Sequence, residues 1–301
     1  PAVAAKPIDA KTGYLRLTTF PADAGSQVFN ALKKFEAAGI DRIVLDLRDN
    51  PGGYLQGARQ VASLFLDSGV LIHTRDRNGR DEPIHVFSSD VPDRELVVLV
   101  NGASASASEL LAGAFQDHEA AAIVGERTFG KGSVQSVVNL DSGGAVKVTI
   151  QEYFTPKGRR VNGVGIEPDI EVAGRIPQLI TAINKVRFGP LSVMLTDSAT
   201  RIGKADFPET VQVLKEQGRF YVPSRVLAAL VGEPIAWEGD RRAVIVGTEG
   251  DARTFRAGTS EAQLHAGTSY VELNAFRRAF PAFAWEETKE GVLLTVGEGA
   301  D

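Results

Sequence analysis

The apolar positions change period several times along the chain, and each change marks an element. Residues 13–20 (G-Y-L-R-L-T-T-F) alternate and predict a strand. Over 23–38, Val28, Leu32 and Phe35 recur at helical spacing until Gly39 ends the run. I-V-L-D-L at 43–47 is a short apolar strand leading into D-N-P-G-G, and 55–67 predicts a second helix. E-L-V-V-L-V at 95–100 has the unbroken apolar character of a strand buried on both faces. It runs into a serine-rich turn, a helix at 107–117 and a further strand at 121–125. Residues 145–154 alternate, with Val146, Val148 and Ile150 on one face. Strand, helix and strand at this spacing predict βαβ-type units, so the first half is α/β.

After Val172 the texture changes. Residues 175–187 predict a connecting helix, and an internal repeat occupies the region from about Asp197. Y-V-P-S-R-V-L-A-A-L-V-G-E-P-I-A-W ends at Trp237, and Y-V-E-L-N-A-F-R-R-A-F-P-A-F-A-W ends at Trp285. Each copy is followed by charged residues and a strand, 243–246 or 292–296. A period near fifty residues is in the range where repeats set architecture. The expected domains are therefore a core over 1–174, a connecting segment over 175–196 and a two-repeat α+β domain over 197–301.

Composition narrows the function classes. A length of 301 residues suits two domains, and 43% hydrophobic with 24% charged residues is ordinary for a globular protein. The net charge of −5 leaves no basic footprint for nucleic acid. The one dense charge run, R-D-R-N-G-R-D-E from Arg75 to Glu82, is mixed in sign and centred on Asn78-Gly79, as in a solvated hairpin tip. Cysteine is absent, which removes disulfides, thiolate nucleophiles and Cys-ligated zinc. No apolar run approaches membrane-spanning length. The opening P-A-V-A-A-K-P-I-D-A reads as the interior of a longer chain.

The candidate chemistry lies in two segments. V-N-G-A-S-A-S-A-S-E at 100–109 offers a serine nucleophile, and T-F-G-K-G-S-V-Q at 128–135 offers an amine and an amide. Serine needs an adjacent base. Lysine serves where histidine is scarce, as in Ser-Lys hydrolases. An ordinary lysine holds its proton up to about pH 10.4, so a lysine base must be desolvated. Phe129 is the candidate wall for Lys131. On a strand, Lys131, Ser133 and Gln135 share a face, and Gln135 can orient the amine without adding charge. Ser106-x-x-Glu109 also reads as a capping box at a helix start. Ser104 and Ser108 compete with Ser106 for the nucleophile's place. His118, beside Asp117, leaves a Ser-His-Asp arrangement open, while His73 and His85 read as surface residues.

Four segments resemble the C-terminal processing peptidases, or tail-specific proteases: D-L-R-D-N-P-G-G at 46–53, V-N-G-A-S-A-S-A-S-E at 100–109, T-F-G-K-G-S-V-Q at 128–135 and T-P-K-G-R-R-V-N-G-V-G-I-E-P-D-I at 155–170. Their order is the family's, and the resemblance spans about Gly13 to Val172. It implies an α/β core of ClpP/crotonase-like fold. It singles out Ser106 as nucleophile, Lys131 as general base and Gln135 as third catalytic residue. It also implies an oxyanion hole from the N–H groups of Gly52 and Ala107, with Gly53 as alternative donor, and a supporting Asp117. The implied activity is a cofactor-free serine endopeptidase that cuts proteins near apolar C-termini. The family carries a PDZ domain ahead of the G-Y-L-R-L strand, and that domain is not in these residues.

The repeat half resembles the small α+β repeat at the N-terminus of copper amine oxidases. With His265 its lone histidine, no metal site is expected there. The resemblance implies export to a bacterial cell envelope or periplasm and contact with cell wall or partner, and it leaves homodimerisation open. Two rival readings stand: an envelope protein that binds cell wall or peptide with a degenerate protease half, and an acyl-CoA enzyme of crotonase type.

Overall fold

A computed structural model describes residues 2–88, 91–187 and 189–297; residues 1 and 298–301 of the expected domain ranges lie outside the described residues. The chain divides into two units. One is built on Gly13–Glu171, and the other runs from Val172 onward and also takes Pro7–Thr12.

The first unit carries β1 (Val3–Pro7), β2 (Thr12–Leu17), α1 (Ala24–Ala37), β3 (Arg42–Asp46), α2 (Leu55–Ala62), β4 (Ser68–Asp76), β5 (Asp81–Phe87), β6 (Glu95–Val100), α3 (Ala107–Asp117), β7 (Ala122–Gly125), β8 (Ser133–Asn139), β9 (Ala145–Phe154) and β10 (Ile170–Glu171). Its main sheet has the order β1-β2-β3-β6-β7-β10, and the ladders β3–β6, β6–β7 and β7–β10 are parallel. Parallel strands need crossovers of a dozen or more residues. Helices α2 and α3 lie within two of them, and the central strands are buried on both faces, with Ile43, Leu45, Val98 and Val100 packed with the helices and Val44, Val97 and Leu99 buried on the other face. Val28, Leu32 and Phe35 of α1 join Leu15, Leu17, Ile43, Leu45, Val98 and Phe115 in one buried core.

The second helix is shorter than the 55–67 expected. It stops at Ala62, and the Ser63 hydroxyl, at its end, donates to the Gln60 carbonyl. Such back-bonding competes with helix continuation.

The parallel strands set up the site. Asp46 lies opposite Leu99 and Val100 opposite Gly125. The segments leaving β3, β6 and β7 therefore emerge side by side at the carboxyl ends of adjacent strands, where open α/β sheets place ligands.

A second, antiparallel sheet has the order β5-β4-β9-β8. The charged run forms its β4–β5 turn. Strand β4 meets β9 only over His73–Asp76 and Gln151–Phe154. Beyond that, β8 and β9 run on as a two-stranded ribbon. The face carrying Val146, Val148 and Ile150 is exposed rather than buried.

The second unit carries α4 (Arg175–Val186), β11 (Leu191–Leu195), β12 (Thr200–Ile202), β13 (Ala205–Phe207), β14 (Leu214–Glu216), β15 (Arg219–Pro223), α5 (Ser224–Val231), β16 (Ile235–Glu238), β17 (Ala243–Val246), β18 (Arg253–Arg256), β19 (Ala262–His265), β20 (Thr268–Glu272), α6 (Leu273–Ala279), β21 (Phe283–Glu287) and β22 (Val292–Val296). The two repeats meet through β15 and β20, which pair antiparallel with Val222 opposite Val271, Tyr221 opposite Glu272 and Pro223 opposite Tyr270. Val222 and Val271 hold the same place in their repeats, so the pairing has a local two-fold. Trp285 packs against Phe220, tilted at 51° with ring centroids 5.4 Å apart. The position matching Phe220 in the other repeat is Ser269, so Trp237 has no equivalent ring and lies exposed. The last strand, β22, pairs with β11, which lies ahead of the two repeats at Leu191–Leu195. Among the described residues no helix is long and apolar enough to cross a membrane.

Candidate active site

The serine turn leaves β6 and is pinned from below. Asn101 accepts from the N–H groups of Asp49 and Ala103 and donates to the Asp49 carboxylate. The Ser104 hydroxyl donates to the Leu47 carbonyl at 2.8 Å, and that of Ser108 to the Asn50 carbonyl at 2.9 Å. Both are fully buried and hold the serine turn against the glycine turn. Ser106, between them, is half-buried, and its hydroxyl proton has no acceptor among the described residues. The structure thus separates three serines that local sequence leaves equivalent.

Ser106 has φ 55 and ψ −117. A side chain rarely takes this conformation; it is that of the first central residue of a type II′ turn, a glycine position. It thrusts Ser106 out of the turn as α3 begins, in the manner of a nucleophile elbow. The Ala107 N–H and the positive dipole end of α3 lie beside its hydroxyl and favour a developing oxyanion.

Glu109 ties this turn to the lysine segment. It is fully buried. Its carboxylate accepts from the N–H of Ser106 at 2.9 Å, Gly130 at 2.6 Å and Lys131 at 2.7 Å, and from the Thr128 hydroxyl at 2.5 Å. Phe129 N–H adds a bond to the Ser104 carbonyl. The capping-box pattern finds the first of these bonds; the other three join residues too far apart in sequence for a local pattern to reveal.

Glycines flank Lys131 because backbone crowds both sides. A Cβ on Gly130 would lie 3.2 Å from the Val164 and Gly165 nitrogens, and one on Gly132 only 2.4 Å from the Asn162 nitrogen. The fourth motif therefore supports the third. The Lys131 side chain is exposed, and Phe129, expected to wall it, is itself 67% exposed. That expectation is corrected: the narrow G-K-G segment brings no bulk of its own over the amine. Gln135 is exposed on β8, and among the described residues no hydrogen bond joins it or the Ser106 hydroxyl to the Lys131 amine. The backbones of the two segments are brought together; their side chains are not bonded to each other.

The glycine turn sits on the serine turn. A Cβ on Gly52, at φ 99, would lie 2.9 Å from Ser106 Cβ and 3.0 Å from the Ala107 nitrogen. Gly52 and Ala107 are therefore neighbours, but the Gly52 N–H donates to Asn50 Oδ1 at 2.9 Å. This amends the expectation of two free donors. Gly53, whose Cβ would strike the Phe20 carbonyl at 2.3 Å, has an N–H that makes no such bond among the described residues. Asn50 also donates to the Leu17 carbonyl, so it braces the turn. Beneath it, Arg48 forks onto buried Asp46, which also accepts from Tyr14 at 2.6 Å.

Asp117, at the end of α3, accepts from Arg159 at 2.5 and 3.0 Å and from the Lys157 N–H at 2.7 Å. It anchors the fourth motif rather than facing Ser106. His118 Nε2 lies 2.8 Å from the Val70 carbonyl, and its ring packs on Gly69, which ends the Ser-His-Asp alternative. His73 pairs with Asp81, and His85 stacks on Phe87.

The sequence profile of peptidase family S41 matches residues 11–172. A carboxyl-terminal-processing protease of Picosynechococcus is 46% identical over 159 residues, 53% of this chain and 38% of that protein. Carboxyl-terminal-processing peptidase 3 of Arabidopsis thaliana, a chloroplast protein, is 40% identical over 198 residues, 65% of this chain and 38% of that protein. The solved photosystem II D1 C-terminal processing protease superposes with a TM-score of 0.53 at 35% identity, over 57% of this chain and 48% of that one. The chain thus spans well under two thirds of the relatives it matches. The profile covers the glycine turn, the serine turn, the lysine segment and the loop that supports it, and on that ground the chain belongs to peptidase family S41.

Proposed function

We propose that the chain is the catalytic part of a serine endopeptidase that cuts proteins near apolar C-termini. Ser106 Oγ attacks the scissile carbonyl carbon while the Lys131 amine takes its proton and later gives one to the leaving amine. The N–H groups of Ala107 and Gly52 bind the oxyanion, with Gly53 as alternative donor; Asn50 holds the Gly52 N–H in the resting chain. Water, deprotonated in turn by Lys131, then releases the acyl group. Gln135 steadies the amine, and Asp117 holds the supporting loop. Docked substrate completes the wall that Phe129 leaves open, stripping water from the amine as a lysine base requires. One observation carries the reading: Ser106 stands in a strained conformation at the start of α3, and buried Glu109 joins its N–H to those of Gly130 and Lys131.

The division of labour belongs to the same proposal. The core over 1–174 does the chemistry. The segment 175–196 leads to a two-repeat module of copper amine oxidase N-terminal type over 197–301, which contacts cell wall or a partner of an exported protein. The exposed Lys131 favours one second reading, a binding protein with a degenerate protease half.

Hydrolysis of an unfolded protein with an apolar tail tests both readings. Ser106→Ala and Lys131→Ala each lower kcat/KM by on the order of 10⁴-fold with unaltered circular dichroism. Retained cleavage in either variant refutes the mechanism, and absence of turnover by the unsubstituted chain supports the binding protein.

A further inference from the structure

The β5-β4-β9-β8 sheet has two edges with opposite characters. Edge strand β5 opens with Asp81, Glu82 and Pro83, all exposed. Charge and proline on an edge block pairing with another strand. Edge strand β8, S-V-Q-S-V-V-N, carries neither charge nor proline and pairs only with β9 among the described residues.

The ribbon behind that edge is unusual in water. Every described side chain from Val137 to Ile150 is exposed. Val138, Val146, Val148 and Ile150 share one face, Val137 lies on the other, and these five are between 42% and 63% exposed. A two-stranded ribbon is marginal by itself, and a contiguous exposed apolar face marks a surface that is covered in use. What covers it is suggested by where it leads: β8 starts two residues after Lys131, and Gln135 lies on it.

We infer that the free edge of β8 takes an extended, uncharged, apolar stretch of the substrate polypeptide as an added strand. Main-chain hydrogen bonds to β8 supply affinity, and the valine face selects apolar side chains at alternate positions. A substrate bound in this way runs toward Lys131 and covers the exposed amine. This rests on the peptidase reading and deepens it.

Binding without turnover keeps the test separate from the chemistry. A fluorescent unfolded polypeptide rich in valine and leucine is titrated into the whole chain carrying Ser106→Ala. Val138→Lys and Val148→Lys each weaken binding at least tenfold with unchanged circular dichroism. The deciding arm alters the probe, so no variant can fail by unfolding. N-methylation at one set of alternate residues abolishes binding, and methylation at the other set leaves it within threefold, because a strand offers alternate N–H groups to one edge. Equal binding by both methylated probes overturns the proposal. So does an arm that pairs two copies of the chain, seen as a dimer lost in Val138→Lys while probe binding persists. Failure of the peptidase reading shows elsewhere, as unimpaired hydrolysis by the Ser106 and Lys131 variants.

Discussion

Ser106 holds a backbone conformation that its own side chain opposes. The strain at such a position is on the order of 1 kcal/mol or more, and a glycine there is free of it. Ser106→Gly is therefore expected to be more stable than Ser106→Ala by about 1 kcal/mol in urea unfolding, although both lack the nucleophile. Equal stabilities would show that the turn is not strained. Glu109 works in the opposite sense, drawing four donors onto one buried carboxylate. A glutamine has one acceptor oxygen and places N–H groups where acceptors are needed. Each orphaned buried donor costs about 1–3 kcal/mol. Glu109→Gln is expected to lose about 2–5 kcal/mol of stability by the same principle and to lower kcat by more than tenfold through displacement of the G-K-G segment. Unfolding curves and initial rates measured below the transition check both effects.

The elements differ in how far they are covered. Strands β3 and β6 are buried on both faces over most of their length and keep their hydrogen bonds from water. The β8–β9 ribbon beyond Gln151 has water on both faces. Amide exchange tracks local opening, so the amides of 135–139 and 145–150 are expected to exchange far faster than those of 43–46 and 96–100. Adding an apolar polypeptide to the Ser106→Ala chain is expected to slow the β8 amides selectively. Mass-spectrometric hydrogen exchange reads both outcomes, and uniform protection of ribbon and core would contradict the description. The same ribbon marks a limit of pattern reading. Alternation at 145–154 identifies a strand correctly, because alternation reports pleat. It says nothing about whether a second layer covers the apolar face.

At the scale of the molecule, one buried phenol contributes to the loss of stability in base. Tyr14 donates to Asp46, and burial together with the neighbouring Asp46 charge pushes its pKa far above the ordinary value. Below about pH 10, the ordinary tyrosine value, this group costs nothing. Above it the unfolded chain ionises Tyr14 while the folded chain does not, so stability falls as pH rises. Urea midpoints measured from about pH 9 to about pH 11 should decline in the unsubstituted chain and decline less in Tyr14→Phe; parallel slopes would exclude Tyr14 as the cause. Much of the architecture was legible beforehand. The apolar runs at 43–47 and 95–100 and the helix at 107–117 stand where periodicity puts them, because short-range pattern reports local burial. The ties among Asn50, Ser108, Glu109 and Gly130 were not legible, since they join segments that approach only once parallel strands align. The paired placing of Trp237 and Trp285 was visible, but their unequal exposure depends on Phe220 in one repeat and Ser269 in the other.

The ladder between β11 and β22 joins residues about a hundred positions apart. A chain made from its amino end lays down Leu191–Leu195 about a hundred residues ahead of Val292–Val296, and until then that strand has β12 on one side and no neighbour on the other. Until residue 296 has left the ribosome, the repeat module presents an open seam, vulnerable to proteases and to strand exchange with nascent copies. Its folding is thus timed by the arrival of Val292–Val296.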